Sequence, residues 1–313
     1  MRIYVTGACG QIGSHVAEML LERGDQVFGI DNLDTGRRDH ISEHPNLTVL
    51  IDTIADRKVV ESTIEEFRAD VIVHTAASYK DPEDWYNDTL TNCLGGTNVI
   101  NAAKKFGIKR FIYFQTALCY GLKPMQQPIR LDHPKFPASS SYAISKTANE
   151  DYLEISGLDY VTFRLANVVG PRNVAGPLPI FYQRLRDGKR CFVTKSRRDF
   201  VFVKDLARVV LKACDGIGHG AYHFSSGTDV AIKELYDAVV NAMNITKYPE
   251  PEIRDIGPDD AFSILLDPSR TFDDFGKLEF TSLYETVSAA IKYYETNGTL
   301  GEYTHLRLQR DKT

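Results

Sequence analysis

The first half of the chain alternates short runs of β-branched and aromatic residues with stretches in which apolar residues recur at helical spacing. Ile3–Thr6, Val27–Ile30, Thr48–Ile51, Val71–Val73, Phe111–Phe114 and Tyr160–Arg164 predict strands. Between them, "QIGSHVAEMLLERG", "DRKVVESTIEEF" and "LTNCLGGTNVINAAKKFG" predict amphipathic helices. Strand then helix, repeated, is the pattern of an α/β fold, a doubly wound parallel sheet with helices on both faces.

After about residue 168 the regularity stops. "GPRNVAGPLP" is a Gly/Pro loop, followed by a helix "IFYQRLRDG" and short strands around Phe192 and Val201–Val203. "VKDLARVVLKACDG" reads as a helix returning to the first domain, and "AIKELYDAVVNAM" and "SLYETVSAAIKYYE" as further amphipathic helices. The expected organisation is a Rossmann-type domain over 1–167 with a returning segment at about 201–224. A smaller mixed α/β lobe for substrate follows over 168–200 and 225–300, then a polar tail over 301–313.

With 313 residues, 43% of them hydrophobic, the chain can fill a large core. A net charge of −5 with mixed signs offers no basic surface for nucleic acid. No apolar run approaches the roughly 20 residues of a membrane span, and "MRIYVTG" enters a strand without a signal-peptide pattern. Five cysteines (Cys9, Cys93, Cys119, Cys191 and Cys214), with no C-x-x-C, point to a reducing cytoplasm. The histidines form no H-x-x-x-H or Cys/His cluster, so no metal site is expected.

"VTGACGQIGSH" places Gly7, Gly10 and Gly13 between the first strand and the first helix, with Gln11 and Ile12 between the last two. Glycines there tighten the turn and let backbone approach a pyrophosphate at the helix N-terminus. Asp31 ends the next strand, followed by Asn32. A carboxylate at that place accepts hydrogen bonds from ribose hydroxyls and repels a 2′-phosphate, which favours NAD over NADP. Arg37 and Arg38 follow closely and keep NADP open as an alternative.

"SSSYAISKTANEDY" sets Tyr142 and Lys146 one helical turn apart. An ammonium beside a phenol favours the phenolate. With 16 tyrosines and 17 lysines, however, about one Y-x-x-x-K is expected by chance, so the pair needs context. The context is an ordered series. The glycine loop, Asp31–Asn32, "VIVHTAA", Asn92 with Gly95, "FQTALCYG", Y-x-x-x-K, "FRLANVVGPRN" and "RRDFVFVKDLA" resemble extended short-chain dehydrogenase/reductases, the nucleotide-sugar epimerases and dehydratases.

That resemblance implies Tyr142 as general acid/base. Lys146 would bind the nicotinamide ribose and lower the tyrosine pKa, and Thr116 would hydrogen-bond the reacting hydroxyl. It adds Asp52, Thr53, Thr75, Ala76, Ala77 and Asn92 to the cofactor-binding set, with Tyr142 and Lys146 themselves. For a sugar nucleotide it implies Thr116, Asn167, Cys191, Val193 and Arg198, the arginine pairing with the diphosphate. A second family arginine would stand where Gly257 lies, the nearest candidate being Arg254.

Dehydratases of the family resemble one another in an Asp-Glu pair directly after the threonine; here those positions are Ala117 and Leu118. The resemblance thus implies an NAD-dependent 4-epimerase on a UDP-hexose or UDP-hexuronate, working as a homodimer. A nucleotide-sugar dehydrogenase or 4-ketoreductase is the alternative, and a non-catalytic NAD-sensing protein the third reading. Ile264 falls where some epimerases carry a bulky tyrosine, which leaves N-acetyl sugars open. His74, Trp85 and Cys119 are read as structural.

Overall fold

The computed structural model describes residues 1–79, 81–247, 250–258 and 260–299. Seven parallel strands form one sheet: β1 (Arg2–Thr6), β2 (Gln26–Asp31), β3 (Leu47–Ile51), β4 (Val71–His74), β5 (Arg110–Thr116), β6 (Tyr160–Leu165) and β7 (Gly220–Phe224). Their spatial order is β3–β2–β1–β4–β5–β6–β7. The first six are the strands that the sequence predicts, extended at their ends. β7 is not among the predicted strands.

Alternation along each strand divides the core. Ile3 and Val5 of β1, Val71 and Val73 of β4 and Ile112 and Phe114 of β5 face one side. There they pack with Val16 and Leu20 of the helix Gln11–Glu22 and with Leu206 and Val210 of the helix Val203–Cys214. Tyr4, Ile72, Phe111 and Tyr113 face the other side, against Val60 and Ile64 of the helix Arg57–Phe67 and Val99 and Ala103 of the helix Gly96–Lys105. The latter starts earlier than its sequence pattern: Trp85–Asp88, a π-helical turn Thr89–Gly95 and Gly96–Lys105 run on as one rod. Asp84 caps it by accepting from the Asn87 N–H at 3.1 Å. Gly96 lets it lie close to the helix Ser141–Glu154, since a Cβ there would fall 2.1 Å from Asn149 Nδ2.

Beyond β6 the chain builds three two-stranded pairs. Asn167–Val169 lies parallel to Phe200–Phe202, and Phe192–Thr194 parallel to Glu252–Arg254. Arg197–Arg198 runs antiparallel to Val230–Ala231. The strand expected at Val201–Val203 is Phe200–Phe202, and Val203 already opens the next helix. The helices Pro177–Arg186, Ile232–Ala242 and Leu283–Asn297 bury Leu178, Leu235, Val239 and Ile291 in a second core. Phe275 of the helix Ser269–Phe275 packs instead into the core of the sheet. The polar tail over 301–313 lies outside the described residues. No helix among the described residues is long and apolar enough to cross a membrane.

Candidate active site

β2 and β3 extend from one side of β1, and β4 onward from the other, so a crevice opens beyond the carboxyl ends of β1 and β4. A cavity of about 440 Å³ runs from this crevice to the smaller lobe. Every residue of the expected cofactor set lines it except Asn92 and Lys146.

The glycine loop is closely packed. Gly7 has φ +64°, and a Cβ on it would lie 2.7 Å from Ala76 Cα; one on Gly13 would lie 2.1 Å from the Gly7 carbonyl oxygen. No side chain caps the helix that Gly10 opens, so its N-terminus is available to an anion. Asp31 is buried at the end of β2. Its Oδ2 accepts from the Cys9 N–H at 2.8 Å and its Oδ1 from the Leu33 N–H at 2.7 Å. Burial pushes its carboxyl above the ordinary value, and these amides pull it back. Arg37 is committed to Asp39 and the Asn297 carbonyl, and Arg38 to Glu43 and the Ile41 carbonyl. Neither lines the cleft. Thr75 Oγ1 donates to the Thr6 carbonyl at 2.6 Å, and the buried His74 Nδ1 lies 2.6 Å from Thr6 Oγ1. A three-glycine cradle, an open helix end and a carboxylate without a competing cation fit NAD.

Asn92 lies just behind the cleft lining. It is buried in the π-helical turn, where it accepts from the Ser78 N–H at 2.9 Å and donates to the Ser78 carbonyl and to Ser145 Oγ, each at 3.0 Å. It braces the cleft wall from behind.

Ser140 starts the helix Ser141–Glu154 by accepting from the Ala143 N–H at 3.1 Å, which brings Tyr142 to the cleft in the first turn. Thr116, the last residue of β5, lines the same cleft; its Oγ1 accepts from the Leu118 N–H at 3.2 Å. Tyr79, which the sequence reading missed, lies edge-on to Tyr142 with ring centroids 6.4 Å apart. Burial pushes the Tyr142 phenol above its ordinary value, and Tyr79 and Asp88 push the same way. Burial also lowers the Lys146 ammonium to about 7, opposed by Glu150. The Tyr142 phenol is therefore shifted upward, against the direction that the spacing suggests. Ala117 and Leu118 line the cleft as well, so no ionisable group follows Thr116 there. Cys119 is fully buried, with its thiol pushed up to about 12.

Toward the smaller lobe, Asn167, Val193 and Arg198 line the cleft, and Asn167 Nδ2 donates to the Asp199 carbonyl at 3.2 Å. Cys191 does not: it points into the lobe core, while Phe192 and Thr194 join the lining. Arg198 pairs with Asp260, itself a lining residue, and donates to the Ala261 carbonyl at 3.0 Å. Arg254 pairs with Glu252 and stacks 4.1 Å from the Phe192 ring centroid, off the cleft. Arg184 and Asn173 line it too and were not singled out from the sequence, although Asn173 sits in the quoted Gly/Pro loop. Among the described residues no His, Cys, Asp and Glu side chains group as metal ligands.

Known proteins share this fold. The chain is 29% identical over 312 residues to a UDP-glucose 4-epimerase of Mycolicibacterium smegmatis, covering 94% of this chain and 98% of that one. The Bordetella bronchiseptica enzyme WbmH, solved in complex with NAD+, is 71% identical with a TM-score of 0.94, over 95% of this chain and 99% of that one. WbmG of the same organism, solved with NAD and UDP, is 38% identical with a TM-score of 0.89, over 98% and 99%. Residues 3–223 match the family described as NAD dependent epimerase/dehydratase. With its glycine cradle, its Asp31 and its Thr116, Tyr142 and Lys146 in family order, the chain belongs to the NAD-dependent epimerase/dehydratase family of extended short-chain dehydrogenase/reductases.

Proposed function

We propose that the protein is a nucleotide-sugar 4-epimerase that uses NAD and takes a UDP-hexose or UDP-hexuronate. One observation carries the reading: Thr116 and Tyr142 meet at one cleft, and the two positions after Thr116 are Ala117 and Leu118. That set can move a hydroxyl proton but offers no acid and base for eliminating water. The names of the relatives, and the UDP held by the WbmG structure, support a uridine nucleotide.

Gly7, Gly10 and Gly13 hold the NAD pyrophosphate and Asp31 the adenosine ribose. Bound NAD supplies an acceptor, and then a donor, for one hydride at the sugar C4. Tyr142 takes the proton of the 4-hydroxyl and later returns it. Thr116 orients the same oxygen. Lys146 would hold the nicotinamide ribose, and its charge would favour the phenolate against the burial that raises it. The segments around Asn167, Val193 and Arg198 carry the nucleotide, with Arg198 exchanging Asp260 for the diphosphate.

The test incubates the purified protein with a panel of UDP-, dTDP-, GDP- and CDP-sugars and follows products by NMR. A C4 epimer without added NAD is expected; stoichiometric NADH would point to the dehydrogenase reading instead. The protein works as a homodimer in a reducing cytoplasm. Ile144 and Tyr152 of the helix Ser141–Glu154, Ile155 at its C-terminal end and Leu94 of the neighbouring π-helical turn leave apolar side chains exposed, which a second copy covers. Sedimentation equilibrium at twice the chain mass tests that.

A further inference from the structure

Gln115 stands one residue before Thr116 on β5 and is almost fully buried. Both ends of its carboxamide are engaged: Oε1 accepts from the Thr116 N–H at 2.8 Å, and Nε2 donates to Glu150 Oε2 at 3.2 Å. Glu150 has no exposed surface. It lies eight residues past Tyr142 and four past Lys146, so the three share one stripe of their helix. Its other oxygen accepts from Arg164 Nε at 3.0 Å, and Lys135 Nζ lies 3.5 Å from Oε2. Arg164 Nη1 in turn donates to the Tyr120 hydroxyl at 2.6 Å. His223 Nδ1 donates to the Asp267 carbonyl at 2.9 Å, so its Nε2, 2.6 Å away, accepts the Tyr120 proton.

A buried ion pair alone is weak as a stabiliser and is often replaceable by apolar residues of similar volume. The Gln115 link connects this one to the strand end that carries Thr116. We infer that Glu150 and Gln115 are positioning residues of the active site: the carboxylate fixes the carboxamide, and the carboxamide fixes the backbone that carries the Thr116 hydroxyl. The inference rests on the roles proposed above for Thr116, Tyr142 and Lys146.

The Glu150 charge acts on Lys146 as well. Lys146 is faced by Glu150 from its own helix, by the Tyr113 ring from β5, and by His74 of β4, which burial and Lys146 itself lower to about 3. Glu150 is the anion of that set, and it favours the charged lysine against burial.

Two variants test this. Gln115→Met removes the hydrogen bonds of the carboxamide and leaves the Glu150–Arg164 pair intact. It should lower kcat about tenfold, with KM for the sugar nucleotide and NAD occupancy within about twofold of wild type. Glu150→Gln removes the charge, and the loss of activity at high pH should begin about one unit lower, because Lys146 then gives up its proton more readily. Unchanged kcat in folded, NAD-loaded Gln115→Met would overturn the inference, and so would a lower melting temperature with an unchanged pH profile in Glu150→Gln. If Glu150→Gln does not fold, Gln115→Met alone decides. Tyr142→Phe is measured alongside. If it stays active, the catalytic reading itself fails; if it is inactive while Gln115→Met is wild type, only the positioning role fails.

Discussion

The Lys146 ammonium lies 4.3 Å from the centroid of the Tyr113 ring, and the Tyr113 hydroxyl donates to the Lys146 carbonyl at 2.9 Å. One buried side chain of β5 therefore holds both ends of the lysine, its backbone and its charge. Tyr113→Phe keeps the ring and should cost about 1 kcal/mol of stability, with turnover within a few-fold of wild type. Tyr113→Leu removes the face under the cation and should lower turnover about tenfold more at pH 8 than at pH 6.5. Melting curves and kcat at the two pH values distinguish the variants.

Tyr142→Phe deletes one hydroxyl at the cleft and little packing. Turnover should fall about 100-fold or more, with NAD still bound. Lys146→Ala should weaken NAD binding in addition, which titration of the purified variant would register.

The side chains of Ala117 and Leu118 can neither donate nor accept a proton. Reaction in deuterated water should therefore give a C4 epimer without deuterium at C5. Solvent deuterium at C5 in a 6-deoxy-4-keto product would mean elimination, and the proposed function would be lost while the NAD site stood.

Asp31 is held by two backbone amides, and Arg37 and Arg38 are engaged with other carboxylates. NAD should bind at least about tenfold more tightly than NADP, a gap of about 1.4 kcal/mol. Asp31→Asn should narrow it, mostly by tolerating the 2′-phosphate. Equal affinity of the unaltered protein for both cofactors would contradict the assignment.

His15, His74 and His223 are buried, and burial lowers them to about 3, 3 and 4. An unfolded chain takes up their protons near pH 6.5; the folded one does not. Their contribution to stability is complete above pH 6.5 and is lost as pH falls toward 4 and then 3. At pH 5.5 the loss is about 1 kcal/mol for each histidine. The melting temperature should drop between pH 7 and pH 5.5, and a flat profile across that range would refute the burial argument.

Six strands of the sheet were legible because each is a run of β-branched and aromatic residues with local meaning. β7 was not, because Gly220 and His223 interrupt its pattern. His223 is accommodated there by the Tyr120 hydroxyl, 103 residues earlier in the chain, and by the Asp267 carbonyl. The glycine loop and Asp31 were legible for the same reason as the strands: turn, carboxylate and helix end are neighbours in sequence. Cys191 turns into the second core while Phe192, Val193 and Thr194 line the cleft, a difference that tertiary packing makes and the local pattern does not show. Asn92 and Lys146 were legible as motif positions, but that both are buried just behind the lining side chains follows only from the packing of their helices. Tyr79 and Arg184 carried no local signal at all; only the meeting of distant segments brings them to the site.

The sheet is finished late. β7 pairs with β6, and the helix Val203–Cys214 covers Val16 and Leu20 of the helix that follows the glycine loop. During synthesis, the first 167 residues emerge with that face bare and with β6 as an open edge. A nascent chain stalled near residue 200 would be a sticky intermediate in need of a chaperone, and a fragment cut there would aggregate before it could hold a nucleotide. Release of residues 203–224 from the ribosome is the step that seals the dinucleotide half of the molecule.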